Sequence, residues 1–454
     1  MMELCGKKVC VFGSGKSGIG AAELLVKVGA CPVIYDGNDK LDSAEVLAKM
    51  EDAGGTEVIL GELPDEVMEG LDLVVMSPGV PLDLPVVERM KAKQIPIWGE
   101  IELAYQMGKG MVLAITGTNG KTTTTSLLGK IMKDYHPNTD VVGNIGDPYT
   151  DAALAQTEDS VTVAEVSSFQ LETIDTFHPK ASAITNITED HLNRHHTMEE
   201  YIRVKELVTK NQTKDDVCVL NYEDDVLRAF AEHAPAKVIF FSSLRELEEG
   251  IFFDGTSIIL KTEKETIEVA KVAELKLLGL HNFENVMVAV AMAYSVGVPM
   301  DSIRASIKEF AGVEHRIEYV AEKDGVAYYN DSKGTNPDAA IKGIQAMNRP
   351  TLLIGGGYDK QSTYEEWINA FDGKVRFLVL IGQTRQKIAD TAVSCGFPKE
   401  NIIFCEDLKE AVETCAKRAC SGDAVLLSPA CASWGQFDNY EQRGDMFKEY
   451  VRAL

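Results

Sequence analysis

No stretch of this chain approaches the ~18 uninterrupted apolar residues that a membrane-spanning helix requires, so no span is expected. Basic residues are scarce: 45 Lys and Arg stand against 70 Asp and Glu, a net charge of −25. That balance argues against a nucleic-acid partner, which needs clustered cations, and against anionic membrane surfaces. An anionic ligand must therefore be held by local devices such as a helix N-terminus, an arginine or a metal ion. Cysteine pairs of the redox or zinc-binding kind are missing too. The nine cysteines are odd in number and show no C-x-x-C spacing. Most fall in apolar runs, as Cys10, Cys31 and Cys218 do, which predicts reduced core thiols in a cytoplasmic protein. Residues 1–11 carry lysines without a long apolar run, so no leader peptide is expected. Repeats, low-complexity tracts and long polar linkers are absent. What is present is ordinary for a globular protein, with 45% apolar and 25% charged residues in 454, enough for roughly two to four domains.

Strand-like and helix-like segments alternate almost throughout, which predicts an α/β protein with mostly parallel sheets. Three units are expected. Residues 1–98 read as a Rossmann-like domain: strand Val9–Phe12, a glycine turn, a helix to about Val28, strand Val33–Tyr35 ending in Asp36, strand Leu71–Met76 and a last strand near Ile95–Ile97. Residues 99–312 read as a central ATP-binding domain of the phosphate-loop type. Its strands end near Glu165 and Asn186 and recur at Val217–Leu220 and Val238–Phe241, a helix covers about Glu199–Lys210, and antiparallel hairpins are expected over 250–270. Residues 313–454 read as a second Rossmann-like domain, with strands at Val326–Asn330, Thr351–Gly355, Phe377–Gly382, Ile402–Phe404 and Ala424–Ser428.

The most informative segment is Val112–Thr122. An apolar strand runs into Gly117-Thr118-Asn119-Gly120-Lys121-Thr122, and Thr123 and further hydroxyls follow at the start of a helix. Such a turn cradles a triphosphate: backbone N–H groups and the positive helix end face the phosphates, Lys121 offsets the terminal charge, and the hydroxyl of Thr122 reaches the metal. The common phosphate loop has a glycine five positions before Gly120, where Ile115 stands. The loop is thus shorter than in most ATPases and GTPases.

Other polar residues gather at the carboxyl ends of strands, where open α/β sheets bind ligands. Gly13-x-Gly15-x-x-Gly18, with Ser17 inside it and Asp36 after the next strand, fits a dinucleotide, another nucleotide diphosphate, or a tight turn without a ligand. Glu165 offers a hard oxygen suited to Mg²⁺ beside ATP, the alternative being a solvated carboxylate. Asp190-His191 is a candidate metal or phosphate site. His195 and His196 lack the companion ligands of a zinc site and read as surface residues. Lys205, on a polar helix, reads by itself as a solvated charge. In the third unit Arg316, Asp331–Asn336, Gly355–Lys360 and Ser428–Phe437 together suit a small anionic molecule, although any one could be an ordinary capped loop.

Taken together, these residues resemble the Mur ligases, which add amino acids to the peptidoglycan precursor. Gly117–Thr122, Glu165, Asp190-His191 and His281-Asn282-x-x-Asn285 mark that superfamily, which also contains folylpolyglutamate synthetase. Asp331-Ser332-Lys333-Gly334-Thr335-Asn336 is similar to the branch that adds D-glutamate; relatives that add other residues typically carry an Asp-Tyr-Ala-His motif there, and this chain does not. Gly143-Asn144-Ile145-Gly146, Glu165–Glu172, Ser428–Phe437 and Glu441-Gln442-Arg443-Gly444 agree, and the resemblance covers essentially the whole chain.

The resemblance implies an ATP-dependent amide-bond-forming ligase that joins D-glutamate to UDP-N-acetylmuramoyl-L-alanine through an acyl phosphate, in cytoplasmic precursor synthesis. It implies that Gly117, Thr118, Asn119, Gly120, Lys121, Thr122 and Thr123 surround the ATP phosphates, with Asn282, Asn285, Arg316 and Asp331 near the nucleotide. Two Mg²⁺ ions, or Mn²⁺ in their place, are implied at Thr122, Glu165, His191 and Lys205, the last being the lysine that this family carbamylates. Lys121, Glu165, His191 and Lys205 are the implied catalytic residues. Gly15, Ser17, Asp36, Ser77, Asn144, Ser167 and Gln170 match the UDP-sugar side, and Lys333, Thr335, Lys360, Ser433 and Tyr440 the D-glutamate side. The expected partners are small molecules only, with no nucleic acid and no membrane, and a monomer is expected. One departure is visible: Gly37-Asn38 follow Asp36 where some members carry a Thr-Arg pair against the uracil, which leaves the uracil contacts open. A folate-type ligase, a nicotinamide-dependent oxidoreductase built on the first turn, and a non-catalytic UDP-sugar-binding protein remain as alternatives.

Overall fold

The computed structural model describes residues 3–454. Short strands, the central ones apolar and buried on both faces as parallel strands are, make three sheets. In the first, β1 (Lys8–Phe12), β2 (Cys31–Asp36), β3 (Glu57–Leu60), β4 (Leu73–Met76) and β5 (Ile97–Gly99) pair in parallel in the order β3-β2-β1-β4-β5. The order reverses at β1, so the turn at its carboxyl end opens into a crevice of the sheet.

The second sheet holds β6 (Met111–Thr116), β7 (Thr139–Gly143), β8 (Val161–Glu165), β9 (Ala181–Ile184), β10 (Val217–Asn221), β11 (Lys237–Ser242), β12 (Gly250–Phe253), β13 (Ser257–Lys261) and β14 (Thr266–Lys271). Their order is β14-β13-β12-β11-β10-β9-β6-β8-β7, with β12 and β13 antiparallel as the alternating pattern predicts. Strand β6 lies between β8 and β9, again a point where the chain turns both ways. The third sheet contains β15 (Glu318–Lys323), β16 (Val326–Asn330), β17 (Thr351–Gly355), β18 (Val375–Leu380), β19 (Ile402–Phe404) and β20 (Ala424–Leu427), in the order β15-β16-β20-β17-β18-β19. Only β15 runs antiparallel in it.

The chain divides into two compact units. One comprises the residues up to Val269 with Asn285–Ser306; the other comprises Ala270–Glu284 with Ile307–Leu454. In the first unit the two sheets share one apolar core, in which Val9, Val11 and Leu25 are continuous with Trp98, Ile101, Val112 and Tyr149. In the second unit each face of the third sheet has its own core. Leu278 packs with Ile317, Ala340 and Trp367 on one face, and Leu352, Val425 and Phe447 pack on the other.

Several boundaries move. The strand expected from Leu71 begins at Leu73, and the helix expected over Glu199–Lys210 runs from Met198 to Glu206 before tightening into a 3₁₀ turn, Leu207–Thr209. All nine cysteines are free, as expected. Cys31 corrects the core assignment, however: it is the first residue of β2, paired with Lys8 at the start of β1, and it is exposed, as are Cys5 and Cys420. Burial pushes the Cys10 and Cys218 thiols up to about 12, which leaves them unreactive. Among the described residues no helix is long and apolar enough to cross a membrane.

Candidate active site

The short glycine loop after β6 is forced into shape by its neighbours. Gly117 has φ +135° and Gly120 φ +87°, and a Cβ on either would run into Thr185 Oγ1 or Asn285 Oδ1 respectively. Only glycine fits both the backbone angle and the space. Gly120 caps the helix Lys121–Tyr135 without any side-chain cap bond, so the start of this 15-residue helix carries no capping side chain. The loop carbonyls are claimed. Lys121 Nζ donates to Gly117 O at 2.8 Å and Thr118 O at 2.9 Å, and Thr185 Oγ1 donates to Asn119 O at 2.6 Å. The segment after β9 latches the loop from the other side: Asn119 N donates to Asn186 Oδ1 at 2.9 Å and Thr118 N to Asn186 O at 2.9 Å. Two of the loop amides are thus latched by Asn186, and the end offered to an anion is the start of the helix, where no side chain competes as a cap. Thr122 lies half-buried in the first turn, and Thr123 is buried behind it.

Lys205 is the residue whose setting departs furthest from its sequence reading. The helix Met198–Glu206 turns it inward until it is 2% exposed. Its Nζ donates to Gly117 O at 2.9 Å, the same carbonyl that receives Lys121, and lies 4.7 Å from the centre of the Tyr201 ring. Burial and the neighbouring Lys121 charge pull its pKa down to about 7. It is not a solvated charge.

Glu165 ends β8 directly beside β6, in register with Ile115. It is 1% exposed. Asn144 Nδ2 donates to its Oε1 at 2.7 Å, while Oε2 has no hydrogen-bond partner. Gly143, at φ +102°, lets the Asn144 loop close against the Glu165 carbonyl. A buried carboxylate oxygen without a donor, at a strand end beside the glycine loop, could hold a hard cation. His191 is exposed at φ +53°, with Asp190 3.4 Å from its ring nitrogen and the Phe169 ring centre at 4.9 Å. Asn285 closes the same cradle, accepting from Thr124 Oγ1 at 3.2 Å.

His195 corrects the surface assignment. The single turn Leu192–His195 points it inward, where it is 2% exposed. Its Nε2 lies 2.9 Å from Ser168 Oγ, its ring stacks on Phe169 at 5.5 Å, and burial pushes its pKa down. His196 is exposed as expected. The adjacent Arg194 reaches Glu172 Oε2 at 2.6 Å and Val80 O at 3.0 Å, tying the loop after β4 to the segment after β8.

Ser167 and Gln170 satisfy each other in a capping box: Ser167 N donates to Gln170 Oε1 at 2.8 Å, and Gln170 N to Ser167 Oγ at 3.3 Å. The amide is oriented by a residue that sequence reasoning missed. Gln170 Nε2 donates to Glu100 Oε1 at 2.8 Å, inside the protein. Burial raises the Glu100 carboxyl to about 7, and its other oxygen has no partner. An acid this far above its unfolded value near ~4.3 takes up a proton on folding between those two pH values. The stability it contributes is full below ~4.3 and is lost as pH rises through about 7. Glu100→Gln, which cannot ionise, is expected to gain in melting temperature over the parent by a margin that widens from pH 5 to pH 8. Melting scans at both ends check this, and a margin that narrows would refute it.

At the first turn, Asp36 accepts from Ser14 N at 3.0 Å, Ser14 Oγ at 2.6 Å and Asn38 N at 3.1 Å. Burial works against its charge, but these bonds prevail and hold the carboxyl below its ordinary value. Gly15 caps the helix Lys16–Lys27 with no side-chain cap bond, and nothing lies within 4 Å of where its Cβ would be. Gly18 is packed: a Cβ there would strike the Gly13 carbonyl. A cavity of about 430 Å³ opens here, lined by Ser14, Gly15, Lys16, Lys49 and Asp151. Ser17 is half-buried in the same helix start, and Ser77 faces Gly13 from the end of β4 with its hydroxyl unpartnered.

The second unit gathers its own set. Asn282 Nδ2 donates to Leu278 O at 2.7 Å. Asp331, at the end of β16, is buried and accepts from Ser428 Oγ at 2.6 Å; burial raises its pKa to about 7 against the pull of Arg316 and Arg443. Arg316 is exposed. Lys333 Nζ lies 5.5 Å from the Tyr440 ring centre, Thr335 follows in the same turn, and Ser433 is buried. Lys360 is exposed, 4.8 Å from the Trp434 ring centre. A second missed residue organises these loops. Arg443 is 0% exposed and donates to Ser332 Oγ at 2.9 Å, Ser332 O at 2.8 Å and Cys431 O at 3.1 Å. An arginine in a polar helix gives no sequence signal that it will be buried.

Comparison with known proteins agrees along the whole chain. A family model described as the Mur ligase middle domain matches residues 115–293, one described as the Mur ligase glutamate ligase domain matches 315–431, and one described as a Mur ligase MurD-like N-terminal domain matches 7–99. A protein of Lachnoclostridium phytofermentans named UDP-N-acetylmuramoylalanine–D-glutamate ligase is 56% identical, covering 100% of this chain and 99% of that one. Its namesake from Lachnospira eligens is 55% identical over 100% of both. The crystal structure of a UDP-N-acetylmuramate–alanine ligase from Thermotoga maritima superposes with a TM-score of 0.58 at 18% identity, covering 98% of this chain and 99% of that one, a likeness of fold.

Proposed function

The chain belongs to the Mur ligase family, and from that membership we propose that it joins D-glutamate to UDP-N-acetylmuramoyl-L-alanine with hydrolysis of ATP to ADP and phosphate. It is an ATP-dependent, amide-bond-forming ligase of peptidoglycan synthesis. Residues 1–98 take the UDP part of the substrate in this reading, 99–312 take ATP, and 313–454 take the amino acid. The activity belongs to the cytoplasmic stage of precursor synthesis, in a monomer. The dinucleotide reading of the first turn, and with it the oxidoreductase, finds no support in the family matches.

The observation that carries the mechanism is the convergence of Lys121 and Lys205 on the Gly117 carbonyl beside the half-satisfied Glu165. The alanine carboxylate attacks the γ-phosphorus of ATP, the bond to the β-phosphate oxygen breaks, and ADP leaves. Two anions must meet in line, and Lys121 with the first amides of its helix offsets their repulsion. The amine of D-glutamate then attacks the acyl phosphate. The tetrahedral adduct loses a proton and expels phosphate, leaving the amide. Water must be kept from the acyl phosphate throughout. Thr122, the open oxygen of Glu165, His191 and a carbamylated Lys205 would hold two Mg²⁺ ions, for which Mn²⁺ can stand in, and these would draw charge from the phosphates.

Lys205 suits carbamylation. Only a neutral amine adds CO₂, releasing a proton and leaving an N-carboxylate, and a pKa near 7 supplies that amine at neutral pH. Asn282, Asn285, Arg316 and Asp331 serve the nucleotide in this proposal. Gly15, Ser17, Asp36, Ser77, Asn144, Ser167 and Gln170 serve the UDP-sugar, and Lys333, Thr335, Lys360, Ser433 and Tyr440 serve D-glutamate. Phosphate release from ATP, with UDP-N-acetylmuramoyl-L-alanine and a panel of amino acids, tests the function. D-Glutamate is expected to be preferred over L-glutamate and over diamino acids by at least about 10²-fold, in line with what a site loses when a buried partner is left unpaired. Equal release with a diamino acid, or none with D-glutamate, would overturn it.

A further inference from the structure

Lys360 and Trp434 form an arrangement in the second unit that their sequence positions do not announce. Trp434 is 55% exposed, whereas the chain's other two tryptophans, Trp98 and Trp367, are 6% and 0% exposed. Its indole is therefore the one of the three that a solute can reach. The ring is not loose. Tyr358 packs on it at 5.6 Å, and Tyr358 N donates to Ala432 O at 2.9 Å, so the two loops that carry the pair are joined through their backbones. Lys360 places its ammonium 4.8 Å from the Trp434 ring centre.

The nearest acid in sequence, Asp359, is taken by another cation. Lys387 Nζ lies 3.4 Å from its carboxylate, and Gln361 N donates to it at 2.7 Å. Among the described residues Lys360 itself enters no ion pair, in a chain with 70 acidic residues against 45 basic ones. A ring attracts an ammonium without neutralising it, so a lysine held this way keeps its charge available for an incoming anion. Ser433, the residue before Trp434, is buried, and its carbonyl accepts from Phe437 N at 3.1 Å.

We propose that Trp434 is a positioning residue for D-glutamate: its indole holds Lys360 out of ion pairs with the protein's own carboxylates and aims the ammonium at a carboxylate of the amino-acid substrate. The inference rests on the assignment of Lys360 to the D-glutamate side. It adds to that assignment a reporter, because Trp434 is the one exposed indole among the described residues.

Two variants of the full chain test it, Trp434→Leu and Trp434→Phe, by phosphate release with each of the three substrates varied in turn. Trp434→Leu is expected to raise KM for D-glutamate about two- to five-fold, the range of an exposed cation–π contact, with kcat and the KM values for ATP and the UDP-substrate unchanged. Trp434→Phe, which keeps a ring face, is expected to restore most of the D-glutamate KM. Titrating D-glutamate into the ligase should change the indole emission of the parent but not that of Trp434→Phe. An unchanged D-glutamate KM in Trp434→Leu, or an equal rise in all three KM values, would overturn the proposal. Parent protein that releases no phosphate with D-glutamate would overturn the functional reading instead, so the two failures are distinct.

Discussion

Lys121→Ala is expected to lower turnover about 10²–10³-fold, the usual loss when a group that stabilises developing charge is removed, while affinity for UDP-N-acetylmuramoyl-L-alanine stays near the parent value. The separation follows from where the side chain lies. Lys121 occupies the first turn of the helix after the loop and reaches back to the Gly117 and Thr118 carbonyls. It is not part of the first sheet, whose turn Gly13–Gly18 is the candidate UDP site. The loop should keep its shape without it, because Asn186, Thr185 and Lys205 still hold its amides and carbonyls. A thermal scan should thus find the variant folded, and calorimetric titration with the UDP-substrate should find it competent to bind. Loss of that binding together with turnover would show that Lys121 supports the fold rather than the phosphates.

Lys205→Ala is expected to be comparably severe, about 10²–10³-fold in kcat, and to regain part of its activity in the presence of short carboxylic acids. A carboxylate diffusing into the vacated volume would replace the oxygen ligand that the proposed carbamate would supply; methylamine, which replaces only the amine, should not help. The parent enzyme should show the same chemistry in its pH profile. Below its pKa of about 7 the Lys205 amine protonates and cannot hold CO₂, so activity should fall on the acid side of pH 7 and recover in part with added bicarbonate. Rates measured across pH 6 to 8, with and without bicarbonate, check this. Full activity of Lys205→Ala would remove the carbamate from the mechanism.

How much of this was legible in the sequence depended on whether a residue's role is local. The loop Gly117–Thr122 could be read because its shape follows from two glycines at positive φ and a helix start, all within six residues. Glu165 could be placed because an apolar run delivers it to a strand end. Strands with mixed or half-exposed faces were missed: β3, β7 and β15 alternate weakly and carry charged or threonine residues. Roles created by tertiary approach were missed as well. Glu100 lies 70 positions from the Gln170 amide it orients, and Arg443 lies 111 from the Ser332 it holds. His195 was misplaced because a single helical turn decides whether a histidine faces in or out, and no periodicity can be read from one turn. The burial of Lys205 had no signal in composition or spacing; family resemblance alone singled it out.

The chain crosses between its two compact units three times, after Val269, Glu284 and Ser306. The second unit is consequently not a detachable tail. Residues 270–284 contribute Leu278 to its core and Glu274 to an ion pair with Lys308 at 2.7 Å, and Lys276 Nζ reaches the Glu309 carbonyl at 3.3 Å. Anyone grafting a different amino-acid preference onto this scaffold by exchanging everything after residue 312 would leave that strip behind, mated to a foreign neighbour. A chimaera that inherits the strip together with its own C-terminal segment is the natural unit of exchange.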